Sequence, residues 1–175
     1  MPFVIEGRVG KRKIPKAKEK TRPILARVKK SLFSSIELKG AWFLDLYAGS
    51  GSVGIEALSR GVAYCVFVER DKEQCQRIRN ALAILSLKNA RVICCNTFSL
   101  RLKELFDIIF LGPPYKDFLV NKTIRLIDKR GFLKDGGLVI AQHHKKEEIE
   151  KNIGPFVLLK QKSFGETILS FYKKL

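Results

Sequence analysis

The stretch Trp42 to Gly61, WFLDLYAGSGSVGIEALSRG, limits the folds open to this chain more than any other. It begins with an apolar run, Trp42-Phe43-Leu44, followed by Asp45, Leu46 and Tyr47. A run this short, bounded by glycines, predicts a buried strand. Gly49, Gly51 and Gly54 follow with the spacing G-x-G-x-x-G. A chain that leaves a strand through a tight turn, offers its N–H groups to a ligand and then packs a helix on the strand needs residues without a Cβ at those points. Val53, Ala57 and Leu58 recur at helical spacing, and Gly61 falls where a helix-terminating glycine belongs. Ala63 to Val68 predicts a second buried strand that ends in Glu69, 20 residues after Gly49. A strand-end acid at that distance can accept two hydrogen bonds from a ribose. The same glycines would serve a purely structural turn, Asp45 would serve as a turn or cap residue, and Glu69 as a solvated strand end. The strand, helix and acid flanking the glycines together favour a β-α-β unit with a nucleoside-binding loop.

The rest of the chain repeats this alternation. Ile24, Leu25, Val28, Leu32, Phe33 and Ile36 mark a helix that starts near Thr21-Arg22-Pro23, with Arg27, Lys29 and Lys30 on its basic face. Asp71 is placed to cap a helix whose stripe is Cys75, Ile78, Leu82 and Leu85. Strands are predicted at Arg91–Cys95, Phe106–Leu111, Leu138–Ala141, Phe156–Leu159 and Thr167–Tyr172, and helices at 117–130 and, short and polar, at Lys145–Asn152. The expected fold is α/β: a Rossmann-like, doubly wound, mostly parallel seven-stranded sheet closed by an antiparallel hairpin. It occupies residues 21–175, behind a small basic arm or hairpin at 1–20.

A second motif follows the strand Phe106–Leu111, which runs into Gly112-Pro113-Pro114-Tyr115. Two prolines remove two backbone donors and fix φ, so the strand stops there. In a doubly wound sheet ligands bind at the carboxyl edge, where strand order reverses. If Phe43–Leu46 is the first strand and Ile108–Leu111 the fourth, the glycine loop and the Pro-Pro-Tyr corner face one crevice.

Charge and cysteines narrow the partners. The chain of 175 residues carries 34 Lys/Arg against 17 Asp/Glu, a net charge of +17. Residues 1–30 alone hold eleven Lys/Arg against Glu6 and Glu19. Block charge of one sign is an electrostatic footprint for a phosphate backbone, and Arg8, Lys11, Arg12, Lys13, Arg22 and Arg27 are the candidate contacts. Cys65, Cys75, Cys94 and Cys95 show no metal-binding spacing and are expected to be free, buried thiols in a cytoplasmic protein. His143 and His144 lack a third ligand at usable spacing, so no metal is expected and they are read as strand-end residues. Oligomeric state is open, with a monomer the simpler expectation.

Asp45-x-Tyr47-Ala48-Gly49-x-Gly51 resembles motif I of the S-adenosylmethionine (SAM) dependent methyltransferases. The stretch Phe106-Asp107-x-Ile109-Phe110-Leu111-x-Pro113-Pro114-Tyr115 resembles the Asp/Asn-Pro-Pro-Tyr motif of amino-group methyltransferases. With Arg22-Pro23, the Arg27-Val28-x-x-x-Leu32-Phe33 segment and the terminal hairpin, nearly the full length resembles the RsmD family, which methylates guanine N2 in small-subunit ribosomal RNA. The resemblance implies a class I methyltransferase fold and SAM as cofactor, with Asp45 on the methionine amino group, Tyr47, Gly49 and Gly51 lining the cofactor, Glu69 on the ribose and Asn96 near the adenine. It implies catalysis at Gly112, Pro113, Pro114 and Tyr115, with Tyr115 stacked on the target base. Gly112 departs from the family's Asp or Asn, and Asn96 from its more frequent Asp. The first departure raises the alternative of a SAM- and RNA-binding assembly factor without turnover. Other readings are a nicotinamide oxidoreductase, from the literal glycine spacing, and a DNA amino-methyltransferase, for which no target-recognition insert is evident.

Overall fold

The structure, a computed structural model, describes residues 26–175. The basic arm at 1–20, the helix start at Thr21-Arg22-Pro23 and the candidate contacts Arg8, Lys11, Arg12, Lys13 and Arg22 lie outside the described residues. The described residues divide into two units, one ending at Thr97 and the other starting at Phe98.

The first unit runs α1 (Ala26–Phe33), β1 (Trp42–Leu46), α2 (Ser52–Ser59), β2 (Tyr64–Glu69), α3 (Lys72–Ile84) and β3 (Ala90–Cys94). Its strands are parallel in the order β3-β2-β1, with Asp45 opposite Phe67 and Glu69 opposite Cys94. The central strand β2 carries the unbroken apolar run Cys65-Val66-Phe67-Val68, all four fully buried, as a strand covered on both faces requires. The α3 stripe is the one its periodicity predicts: Cys75, Ile78, Ala81 and Leu82 are buried. Asp71 caps that helix, its Oδ1 accepting from Glu73 N at 2.8 Å and Gln74 N at 3.1 Å. Helix α1 turns Val28, Leu32 and Phe33 inward and leaves Arg27 and Lys30 exposed. Lys29 departs from the basic face assigned to it. It is buried, with Nζ 3.4 Å from the buried Glu56 of α2, which also accepts from Arg60 Nε at 2.7 Å. A helix stripe read from apolar residues cannot reveal a cation whose partner is a buried carboxylate on another helix.

The second unit runs β4 (Phe106–Leu111), α4 (Val120–Arg130), β5 (Leu133–His144), β6 (Asn152–Ile153), β7 (Phe156–Phe164) and β8 (Thr167–Lys174). Its strand order is β4-β5-β8-β7-β6. The β4–β5 pair is parallel, with Ile109 opposite Val139, and the pairings of β5, β8, β7 and β6 are antiparallel. The β7–β8 hairpin turns through Gly165 (φ 66°) and Glu166, between the paired residues Phe164 and Thr167. Gly165 supplies the left-handed conformation that a two-residue turn uses. Ile124 and Ile127 of α4 and Phe106, Ile109, Val139, Ile140, Phe156, Phe171 and Tyr172 form the unit's core.

Several expectations change here. The short helix at Lys145–Asn152 does not form; the segment ends in β6, which makes eight strands among the described residues where seven are expected. The side chains of α4 hold this segment in another shape. Asn121 donates to Glu148 O at 3.1 Å and accepts from Glu150 N at 3.1 Å, and Arg125 pairs with Glu150 at 2.6 Å. Cys65 and Cys75 are buried, but Cys94 is exposed and Cys95 half-buried, since β3 is the end strand of its ladder. Trp42, read as core, is only half-buried and lies 5.0 Å from the Tyr64 ring. No helix of the described residues is long and apolar enough to cross a membrane.

The packing of α2 on β2 depends on Gly54. A Cβ there would lie 2.3 Å from Phe67 Cε1 and 2.9 Å from Cys65 Sγ, so the helix touches the strand directly. Alanine at a helix interior gains up to ~1 kcal/mol in propensity. Overpacking a rigid aromatic costs about 1–3 kcal/mol, and the contact distance places this site at the upper end. Gly54→Ala is therefore expected to lose roughly 1–2 kcal/mol in urea unfolding. A variant as stable as the wild type would mean that α2 does not pack on Phe67 this closely.

Candidate functional site

In the first unit the glycine loop is fixed by two carboxylates. Glu69, at the end of β2, accepts from Gly49 N through Oε2 at 2.8 Å, and through Oε1 from Arg70 N at 2.8 Å and Asp71 N at 2.9 Å. One side chain therefore ties the loop after β1 to the turn after β2. The expected role for Glu69 was acceptance of ribose hydroxyls; the carboxylate already holds three backbone donors, so a ribose would share Oε2 with Gly49. Gly51 is the N-cap of α2, at φ 74°, where a Cβ would also press on Ile78 Cγ1 at 2.9 Å. Tyr47 sits half-buried at φ 61°, a left-handed conformation unusual for a tyrosine. Strain of this kind is stored where the surroundings over-determine the backbone, and here Ala48 N donates to Val68 O at 2.9 Å and Gly51 N to Ala48 O at 2.8 Å. Asn96 is exposed, two residues past β3.

Asp45 lies in β1 with 1% exposure, and its Oδ2 accepts from Gly54 N at 2.9 Å. Burial pushes its carboxyl from 3.8 up to about 7, the Gly54 bond opposes this, and the charge of Glu69 adds to it. The carboxylate thus occupies the first turn of α2. A phosphate held by that helix start would face a like charge, whereas a cationic ligand group would relieve the cost of ionising Asp45. This observation favours a ligand with an ammonium or sulfonium end over one with a pyrophosphate.

In the second unit the corner after β4 places Pro113 in the interior and leaves Pro114, Lys116 and Asp117 exposed. Asp117 N donates to Pro114 O at 3.1 Å, which closes the turn without engaging the Gly112 and Pro113 carbonyls. Tyr115 is half-buried and pinned by its hydroxyl, which accepts from Gln142 Nε2 at 3.0 Å and bonds Thr167 Oγ1 at 2.8 Å. Its ring lies 5.7 Å from the His144 ring. Gln142 is a positioning residue that the sequence did not single out, its only signal a polar residue in an otherwise apolar strand, while Thr167 belongs to the terminal Gly165-Glu166-Thr167 hairpin of the family resemblance without a role assigned to it. His143 is buried, bonded to Ser170 Oγ at 2.8 Å and His144 O at 3.0 Å, and burial lowers its pKa. His144 pairs with Glu166 at 3.1 Å. Both histidines are thus committed within the β5–β8 ladder. Arg27 is exposed on α1. No cluster of three or more metal-ligating side chains occurs among the described residues.

Asp45 gives this site a pH signature. The folded protein keeps its proton up to about 7, while the unfolded chain releases it near 3.8. The native state therefore binds more protons across that window, and stability declines as pH rises through it. Asp45→Asn keeps an acceptor for Gly54 N and removes the titration. Melting curves from pH 4 to 8 should show a smaller decline for the variant than for the wild type; equal slopes would mean that Asp45 ionises freely in the fold.

Comparison with known proteins places this geometry in a family. The family model for conserved hypothetical protein 95 matches residues 3–173. YlbH of Bacillus subtilis, provisionally named an rRNA methyltransferase, is 36% identical over 162 residues, 88% of each chain. Ribosomal RNA small subunit methyltransferase D of Escherichia coli K12 is 31% identical over 157 residues, 87% of this chain and 79% of its own. A solved Escherichia coli structure, yhhF, provisionally named a methyltransferase, superposes with a TM-score of 0.88 at 30% identity over 98% of this chain and 96% of its own. Matched by its family model almost end to end, and by relatives above 30% identity over most of its length, the chain belongs to the RsmD family, that of conserved hypothetical protein 95.

Proposed function

We propose that the protein transfers a methyl group from SAM to an exocyclic amino group of small-subunit ribosomal RNA, with guanine N2 as the acceptor. The observation that carries the reading is the buried Asp45 carboxylate at the first turn of α2, beside a loop closed by Glu69 on Gly49 N. Nicotinamide dinucleotides place a pyrophosphate at such a helix start. SAM places no phosphate there and carries an ammonium that would ionise Asp45. The names of the relatives from Bacillus subtilis and Escherichia coli support ribosomal RNA as the substrate. A net charge of +17 accords with it, and the reading places the protein in the cytoplasm.

When bound, SAM supplies a methyl already activated on a sulfonium. The protein's work is then to hold donor and acceptor in line. Asp45 would receive the amino group, Glu69 and Tyr47 would orient the nucleoside, and Asn96 would meet the adenine. The Tyr115 ring, steadied by Gln142 and Thr167, stacks on a base that has left its own stack. The Gly112 and Pro113 carbonyls accept from the amine's N–H groups, which orients it and favours charge on nitrogen. Arg8, Lys11, Arg12, Lys13, Arg22 and Arg27 contact phosphates. We assign the donor to the first unit and the acceptor to the second.

The second reading, SAM and RNA binding without turnover, rests on Gly112, which offers no side-chain acceptor. Gly112 has no positive φ, and among the described residues an added Cβ would meet the Phe110 ring at 3.3 and 3.6 Å, so that ring must give slightly to admit a side chain. Incubation with methyl-labelled SAM and small-subunit particles, followed by digestion, should yield label in guanosine methylated on N2. No label in naked RNA or particles would contradict the enzymatic reading. Gly112→Asp is expected to raise kcat roughly tenfold or more by adding the missing acceptor. An unchanged rate would show that the backbone carbonyls suffice.

A further inference from the structure

Three residues beyond Tyr115 in the same loop stands Phe118. The residue is 55% exposed, and among the exposed large apolar residues of the described part it is the one aromatic; the others are Ile84, Leu105, Leu159 and Leu175. Its backbone is left-handed, at φ 46°, a conformation that a bulky residue adopts only under constraint. The helix that follows has backbone anchors of its own. An apolar residue just before a helix N-cap can staple onto the fourth helical residue. Here the cap is Leu119 and the fourth residue is the buried Thr123, while Phe118 is more than half exposed. The start of α4 is fixed by other means: Val120 N donates to the buried Glu147 carboxylate at 2.8 Å, and Thr123 N to Leu119 O at 2.8 Å. The loop thus keeps an aromatic residue more than half exposed at a cost to its backbone. Lys116 and Lys122, both exposed, lie on either side of it in sequence.

An exposed aromatic with lysines nearby in sequence, one of them (Lys122) with Nζ 4.9 Å from the Phe98 ring centroid, matches the way proteins hold single-stranded nucleic acid, with bases stacked on aromatics and phosphates met by lysines. We propose that Phe118 is a second stacking residue, on which a nucleotide next to the methylated base rests while the Tyr115 corner receives the target. The proposal builds on the methyltransferase reading. Phe118 would take the π-face that opens when the target leaves its stack, and so keep the strand parted. Because any base offers such a face, Phe118 adds affinity with little choice of neighbour, and the charges at 116 and 122 add the salt-dependent part.

The test uses the full chain, a fluorescein-labelled single-stranded RNA and small-subunit rRNA, with Phe118→Ala, Phe118→Gly, Phe118→Trp and Lys116→Ala. Calorimetric affinity for SAM should match the wild type in all four, and melting curves should show none of them less stable, with Phe118→Gly slightly more stable because it relieves the positive φ. Phe118→Ala should weaken RNA binding roughly tenfold. The slope of log affinity against log salt should not change for it, whereas Lys116→Ala should lower that slope by about one. Phe118→Gly relieves the backbone yet removes the ring, so it should lose as much as the alanine variant, and tryptophan should restore binding. In turnover the loss should fall mainly on KM for RNA. Wild-type affinity in the alanine variant, or in the glycine variant alone, would overturn the proposal. RNA binding reads the ring even where the wild type transfers no methyl group, an outcome that would count against the methyltransferase reading instead.

Discussion

The hydrogen bond from Gly49 N to the Glu69 carboxylate is the constraint on which the first unit depends. It joins residues 20 apart in sequence and fastens the loop after β1 to the end of β2. The same carboxylate takes Arg70 N and Asp71 N, so the turn that leads into α3 is set by the group that closes the glycine loop. Asp71, held in this way, caps α3, and Ile78 of α3 approaches Gly51 so closely that no side chain fits there. Gly51 then starts α2, and Gly54 N of that helix reaches Asp45. The loop's shape is thus over-determined by backbone donors on two carboxylates, which explains how a tyrosine at φ 61° persists within it. Rigidity of this kind keeps the loop's N–H groups and Asp45 in fixed register before any ligand arrives.

The second unit reaches order by a different route. Its corner rests on two prolines and on the hydroxyl of Tyr115, which is bonded to Gln142 of β5 and Thr167 of β8. Glu147 closes the other side: buried, with a pKa raised by that burial, it accepts Val120 N where α4 has no capping side chain of its own. The corner therefore depends on residues that lie from 27 to 52 positions further along the chain. Substitutions in β5 or β8 can disturb Tyr115 without touching it.

These two routes explain what the sequence made legible. Local causes were readable. Gly54 packs its helix on the strand as its spacing implies, Gly49 and Gly51 take left-handed turns, Asp71 caps where its position said, and the strand–helix alternation maps onto the elements. The family resemblance, carried by the two motifs, agrees with relatives matched over most of the chain. Partners distant in sequence were not readable. The polar run 145–152 looks helical by composition, but Asn121 and Arg125 of α4 hold it in another shape. Lys29 looks like a surface cation until Glu56 is placed beneath it. Cys94 belongs to an apolar run yet lies exposed on an end strand, because burial there follows from strand order and not from pattern. Gln142 and Glu147 carry no motif, Thr167 stands in the terminal hairpin with no role legible there, and only the fold brings them to the corner.

The claim at the centre is that the loop between β1 and α2, closed by Glu69 and backed by Asp45, receives the adenosyl donor. Hydrogen–deuterium exchange with and without SAM reads those amides directly. The account predicts slower exchange in the segment from Tyr47 to Gly54 and at Glu69–Asp71 on adding SAM, with NAD leaving both unchanged. Protection confined to the β7–β8 hairpin, or equal protection by NAD, would contradict it.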